Sequence, residues 1–311
     1  MLDLTSCVFF VLFVAEFILG MLGNGFIGWV NGRIWLMGQR LSLSDFVITL
    51  LILSRIILLC ILFADSILVV LLSTVPAHDL GKQLFEIIWT FTNDLSIWLV
   101  TCLSVLYCLK IASFSHPAFL WLKWRVSRVV VWMLLGALLL SCASTMSLAY
   151  EFKIYSVLSD IDGTRNMTDH SRWKSYYELI HGIGILWNVP SLLVAVASSF
   201  LLILSLGRHT RQMQQNGSSS RDPSTEAHWR AIKIILSFPI LFLLYFLALL
   251  LISSRPLLPE TTTIEMTAKL IKMFYLFAHS FILILGQNKL KQIFLAMLRC
   301  QPGELTEFIS S

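Results

Sequence analysis

The sequence predicts an all-α membrane protein: seven transmembrane helices with the N-terminus outside, followed by a short amphipathic helix. Three observations carry this expectation. Of 311 residues, 57% are hydrophobic and only 13% are charged, whereas a soluble domain carries roughly 25% charged residues. Seven apolar runs fill most of the length, each close to the ~20 residues that cross a bilayer as helix. Basic residues gather on alternate connections, which orients the chain in the bilayer.

The first run, about 7–30, follows six residues that include Asp3 and no basic residue. It continues to Val30 without a small-residue cleavage site, so it reads as a retained helix rather than a signal peptide. The other runs lie at about 45–70, 84–109, 129–149, 183–206, 232–252 and 270–287, and the tail covers 288–311. Connections 31–44, 110–128 and 207–231, together with the tail, hold thirteen lysines and arginines, and the opposite set holds seven. The richer side is expected to be cytoplasmic. Within it, 110–128 reads as a short basic loop.

The net charge of +5 is dispersed over the connections, so no nucleic-acid partner is expected. Cys7, Cys60, Cys102, Cys108 and Cys142 lie in apolar segments and read mostly as small buried hydrophobes. Cys300 follows a basic helix end and is a palmitoylation candidate. Asn166-Met167-Thr168 is an N-glycosylation sequon in the longest outer connection, on the side that the charges independently place outside.

Ionisable groups at membrane depth are costly and usually face the bundle interior. Arg55 stands near the middle of span 2 and needs acceptors from neighbouring helices; Asn24 on span 1 and Ser280 on span 7 are the expected partners. Asp65 lies near the outer end of span 2 and reads as solvated. On span 3, Glu86, Trp89, Asn93, Ile97, Val100, Ser104 and Tyr107 share one stripe about 100° wide. Trp89 and Asn93 offer either a flat ligand wall with one orienting amide or an interhelical contact. Asp94 points toward another helix. Pro239 predicts a kink in span 6, with Tyr245 two turns further out. On span 7, Lys269 reads as interfacial, Lys272 as snorkelling outward, and His279 as a hydrogen-bonded core residue rather than a metal ligand. The segment from Lys289 to Arg299 reads as an amphipathic helix on the inner leaflet.

Seven spans with the N-terminus outside fit the G-protein-coupled receptor plan, although fold alone does not give function. Transporters and channels are also polytopic, but no hydropathy repeat or matching pair of broken helices supports one. Hydrolase and metal motifs, such as HExxH or GxSxG, are absent from the sequence, and no cofactor is implied.

Several segments carry a more specific resemblance. They include Leu22-Gly23-Asn24-Gly25-Phe26-Ile27, Leu41-Ser42-Leu43-Ser44-Asp45-Phe46 and Trp89-Thr90-Phe91-Thr92-Asn93. Further on come Leu103-Ser104-Val105-Leu106-Tyr107-Cys108-Leu109-Lys110 with Ser115-His116-Pro117, and His279-Ser280-Phe281-Ile282-Leu283 before Asn288-Lys289-Leu290-Lys291. Together these resemble the type 2 taste receptors, the bitter-sensing G-protein-coupled receptors, over nearly the whole chain. The resemblance implies a plasma-membrane receptor for small bitter molecules that activates a gustducin-class heterotrimeric G protein. It assigns Trp89 and Asn93 to the ligand pocket, with Glu86, Lys269 and Lys272 around them, and Tyr245 to an aromatic toggle beneath. Asn24, Arg55, Ser280 and His279 go to an interior network. Tyr107 and Lys110, with Arg211 and His228 of the third inner connection, go to the G-protein face. A pheromone-type chemoreceptor would share this architecture. The sequence departs from the family at Asp94, where many members have His, and at Gly286-Gln287, where Gly-Asn is more usual. Lys269 and Lys272 stand where some members use acidic or neutral residues, which implies a site that disfavours cationic ligands.

Overall fold

A computed structural model describes residues 4–39, 41–72, 80–162, 186–215, 239–248 with Ser237 and Leu250, and 261–299. Six helices within it are long and apolar enough to cross a membrane. They are α1 (Leu4–Leu36), α2 (Leu43–Leu72), α3 (Leu80–Ile111), α5 (Val126–Asp162), α6 (Val189–Gln215) and α8 (Thr261–Gly286). The shorter apolar helix α7 (Pro239–Ala248) falls inside the expected sixth span, whose remaining residues are largely outside the described ones. The kink expected at Pro239 turns on residues that lie outside the described ones. Two short helices complete the set: α4 (Pro117–Trp124) and α9 (Asn288–Leu298).

The helices overrun the apolar runs at most ends because polar turns continue the backbone hydrogen bonding beyond the lipid. Caps set several of these ends. Gly38, at φ 74°, closes α1: its N–H donates to Trp35 O at 3.0 Å and the Gln39 N–H donates to Ile34 O at 3.3 Å. Glycine takes this left-handed conformation without a Cβ penalty. At the start of α2, the Ser42 hydroxyl accepts from the Asp45 N–H at 3.2 Å and donates to the Asp45 carboxylate at 2.6 Å. The hydroxyl thus satisfies one of the first-turn amides that have no partner within the helix.

The loop expected at 110–128 is corrected: much of it is the helix α4. His116 caps it, its Nδ1 accepting from the Ala118 N–H at 3.3 Å, and Pro117 supplies a preset φ at the first helical position. Helix α9 has a buried and an exposed apolar side, Leu295, Met297 and Leu298 being exposed. Leu290, Ile293 and Ala296 are buried, and the Phe294 ring meets Phe26 edge-on at 5.4 Å. Part of the apolar face of α9 therefore packs on the bundle.

Helix α3 is the most buried of the long helices and touches α2, α5 and α6, while α1 lies between α2 and α8. Two apolar clusters stack along the bundle. One holds Ile27, Leu51, Leu103, Leu106, Ile284 and Ile293; the other holds Phe13, Leu59, Ile97, Phe242, Tyr245 and Tyr275. Chain order puts a polar layer between them: Asn24 before Ile27 on α1, Arg55 between Ile52 and Leu58 on α2, and His279 and Ser280 between Leu276 and Leu283 on α8. Among the cysteines, Cys102 and Cys108 are buried as expected. Cys7, Cys60 and Cys142 are exposed on helix faces, because those faces turn away from the bundle. Cys300 lies outside the described residues.

Candidate ligand-binding site

The expected stripe on α3 does face the interior. Asn93, Ile97 and Val100 are buried, whereas Trp89, Ser104 and Tyr107 are half-buried. The 3.6-residue repeat brings them to one side, and α7 and α8 supply the opposing groups. Trp89 packs against the apolar cluster that contains Tyr245 and Met273. Lys272 Nζ stands 4.1 Å from the centroid of the Trp89 ring. A cation over an indole face gains roughly 0.5 to 2 kcal/mol, more as water is excluded, and Lys272 is only 4% exposed. Lys272 therefore covers the aromatic wall, and the expectation that it snorkels outward is corrected.

Asn93 is engaged at both ends of its amide. Its Oδ1 accepts a short hydrogen bond from the Tyr245 hydroxyl, and its Nδ2 donates to Asp94 Oδ1 at 3.4 Å. Asp94 itself turns toward Ser144 on α5 and Asn188 just before α6, as its position on the helix implies. One residue of α3 thus looks into the pocket region while the next ties α3 to its other neighbours.

An ion pair lies one turn before Lys272 on α8. Lys269 Nζ lies 2.6 Å from Asp65 Oδ2, which corrects two expectations: Lys269 is buried rather than interfacial, and Asp65 is paired rather than simply solvated. The pairing joins α8 to α2, and burial of the lysine requires a counter-charge. Glu86 is half-buried on the first turns of the same α3 face.

Below this region the polar layer continues the same chain of contacts. The Tyr245 ring is 4.8 Å from that of Tyr275, and the Arg55 guanidinium carbon lies 5.5 Å from the Tyr275 centroid. Arg55 Nη1 donates to His279 Nδ1 at 2.9 Å and lies 3.5 Å from Ser280 Oγ. Ser280 Oγ is 2.7 Å from Asn24 Oδ1, and Asn24 Nδ2 donates to Gly20 O at 2.8 Å. Ser280 is thus a direct though weak partner of Arg55, as expected, but Asn24 reaches it only through Ser280. His279 is the nearer acceptor, and accepting at Nδ1 requires the tautomer protonated at Nε2.

Tyr275 is the functional candidate that sequence reasoning missed. The signal was its spacing: it stands three residues after Lys272 and four before His279, which places all three on neighbouring helix positions.

At the far end of α3 the Tyr107 hydroxyl accepts from Gln287 Nε2 at 3.3 Å. Gln287 also occupies the cap of α9, so the unusual Gly286-Gln287 step connects α9 to α3. Lys110 Nζ donates to Ser44 Oγ at 3.3 Å at an exposed site. Arg211 is exposed on α6. His228 and Asn166 lie outside the described residues. Asn93 and Lys110 belong to one uninterrupted helix, about 26 Å apart at ~1.5 Å per residue.

The arrangement brings together an aromatic face covered by an ammonium, an amide held by a phenol and a nearby ion pair, chemistry able to contact a small molecule through apolar, hydrogen-bond and charge interactions.

Comparison with known proteins gives the same direction. A family model described as taste receptor protein (TAS2R) matches residues 1–302. Taste receptor type 2 member 3 of Papio hamadryas is 63% identical over 307 residues, which cover 98% of this chain and 97% of that protein. The Homo sapiens protein of the same name is 61% identical over 308 residues, with the same coverage. That of Mus musculus is 56% identical over 301 residues, covering 96% of this chain and 95% of its own. The chain is a multi-pass membrane receptor and not an enzyme, and it belongs to the type 2 taste receptor family of bitter-sensing G-protein-coupled receptors.

Proposed function

We propose that small bitter molecules bind between α3, α7 and α8, at the end of the bundle that carries Trp89, Asn93, Tyr245 and Lys272. In this reading seven helices cross the plasma membrane with the N-terminus outside, so that this end faces the exterior, and Asn166 is glycosylated. The cytoplasmic end, with Tyr107, Lys110, Arg211 and His228, engages a gustducin-class heterotrimeric G protein.

The observation that carries the reading is the contact of Tyr245 with Asn93 beside the Lys272–Trp89 contact. Three helices meet there through polar and cation–π contacts that a ligand has to rearrange. A ligand shifts the receptor only by its differential affinity for two states. Displacing Lys272 from Trp89, or Tyr245 from Asn93, supplies such a difference, and Tyr275 relays it to Arg55.

A calcium-release screen of a bitter library in cells supplying a gustducin-type chimera tests this directly. Responses are expected that vanish in Trp89→Ala and Asn93→Ala at normal surface expression. Substrate flux or current in the absence of a G protein would favour a transporter or channel instead.

A further inference from the structure

A second site lies at the other end of the molecule, where α4 meets α5. None of the eight residues of α4 is buried, yet the helix is held in place. Lys123 Nζ donates to Ala112 O at 2.9 Å, and the rings of Phe114 and Phe119 meet edge-on at 5.2 Å. At Arg125 the backbone leaves the helical region, with φ −110° and ψ 24°. The chain therefore turns before α5 begins. A cleft of about 650 Å³ lies at this turn, lined by Leu120, Trp121, Trp124, Arg125, Ser127 and Arg128. The Arg125 guanidinium lies 4.8 Å from the Trp121 ring centroid, so the indole braces one of its two cations. Trp124 is 91% exposed.

The surface beyond the cleft shows what fits there. Arg128, Trp132, Leu135, Leu139, Cys142 and Met146 recur at helical spacing on one face of α5, and all are exposed. A paired cationic mouth thus opens directly onto an apolar stripe running along a membrane-spanning helix. Exposed tryptophans beside such a mouth are the residue type favoured at headgroup depth. Arginine forks match phosphate geometry.

We propose that this cleft binds the headgroup of an anionic phospholipid, with Arg125 and Arg128 on its phosphate and its acyl chains along Trp132, Leu135 and Leu139, the part of the stripe within one leaflet of a ~30 Å hydrocarbon core. A phospholipid matches both halves of the feature, a phosphate facing the two cations and chains continuing onto the apolar stripe. The bilayer leaflet concerned is the cytoplasmic one on the orientation proposed above. The site itself rests on the cleft and the stripe.

Native mass spectrometry of the purified full-length receptor tests it without an agonist, so the outcome is separable from that of the bitter-library screen. Phosphatidylserine is expected to be retained in preference to phosphatidylcholine with the same chains. Arg125→Gln and Arg128→Gln should each weaken retention about 5-fold, the contribution of one cation near a membrane surface. Arg33→Gln, at the same end of the bundle, should leave it unchanged, and chain-free glycerophosphoserine should not compete. Phosphatidylserine carrying a photoreactive acyl chain should label the 132–139 face of the wild-type protein, a readout that needs no variant to fold. Equal retention of the two lipids, undiminished retention in the double variant, or labelling elsewhere would overturn the proposal. So would a double variant that keeps its lipid but loses receptor-stimulated nucleotide exchange, since the cleft would then be a G-protein surface.

Discussion

Lys272 of α8 stands over the face of Trp89 of α3, 4.1 Å from the ring centroid, on the residue proposed to form the ligand wall. Before any ligand arrives, the aromatic surface is occupied by a cation from the receptor itself. A cationic ligand has to displace a like charge, while an anionic or neutral acceptor gains one. Lys272→Glu is therefore expected to increase the potency of amine agonists by roughly tenfold, the size of one partly buried cation–π contact. Half-maximal concentrations for matched amine, neutral and acidic ligands in the calcium assay check this. An unchanged ranking across the panel would remove Lys272 from ligand selection.

The Tyr245–Asn93 hydrogen bond couples α7 to α3. Both residues are buried, Tyr245 at 2% and Asn93 at 5% exposure. Removing one partner leaves the other unsatisfied at a cost of about 1–3 kcal/mol. Tyr245→Phe and Asn93→Leu should each lower the melting temperature of the purified receptor, and the double variant should lose less than their sum. Simple additivity in that cycle would show that the two side chains do not depend on each other.

Arg55 is completely buried, and its closest hydrogen bond is to neutral His279. Stranding a buried charge costs about 3–5 kcal/mol, so His279→Leu is expected to reduce surface expression and thermal stability severely. Ser280→Ala removes the 3.5 Å contact to Arg55, the link to Asn24 and the bond to Leu276 O at 2.9 Å, none of which strands the arginine, and about 1 kcal/mol is expected from it. Equal losses from the two substitutions, measured by surface labelling and thermal unfolding, would show that His279 is not the principal acceptor.

The Asp65–Lys269 pair has one buried and one half-exposed member, and this asymmetry sets the expected behaviour. Lys269→Met should be tolerated better than Asp65→Asn, because Asp65→Asn removes the carboxylate 2.6 Å from a buried ammonium that stays charged. Exchanging the two residues as Asp65→Lys with Lys269→Asp should recover part of the loss. Raised salt should weaken the coupling, since the exposed side of the pair is screened. Thermal unfolding of the four proteins at two ionic strengths measures all of this.

Much of the candidate site was legible in the sequence because polar residues at membrane depth are few and costly. Arg55, Asn93 and His279 stood out for that reason, and helical spacing correctly turned the α3 stripe inward. The errors have a common origin. Asp65, Lys269 and Lys272 near the ends of their spans were read as reaching water, which is the cheapest fate for an isolated charge. In the bundle, neighbouring helices offered a carboxylate to one lysine and an indole face to the other. Helix α4 is hard to tell from a loop in the sequence because its eight residues bury nothing, leaving only the His116-Pro117 cap as its signal.

By itself the sequence determined the membrane class, the positions of the apolar spans, the family and the inward face of α3. Local hydrophobic patterning and the 3.6-residue repeat are sufficient for the class, the spans and the inward face, since both are properties of a single helix; the family rests on the specific residue motifs and on similarity over the whole chain. Only the tertiary structure decided that Lys272 meets Trp89, that Lys269 meets Asp65, and that Tyr275 bridges Tyr245 to Arg55. The same holds for the packing of the α9 face on the bundle. Periodicity says which side of a helix faces inward. Which residues touch across more than a hundred positions of chain depends on the axial offset and rotation of one helix against another, and those are fixed by packing of the whole bundle.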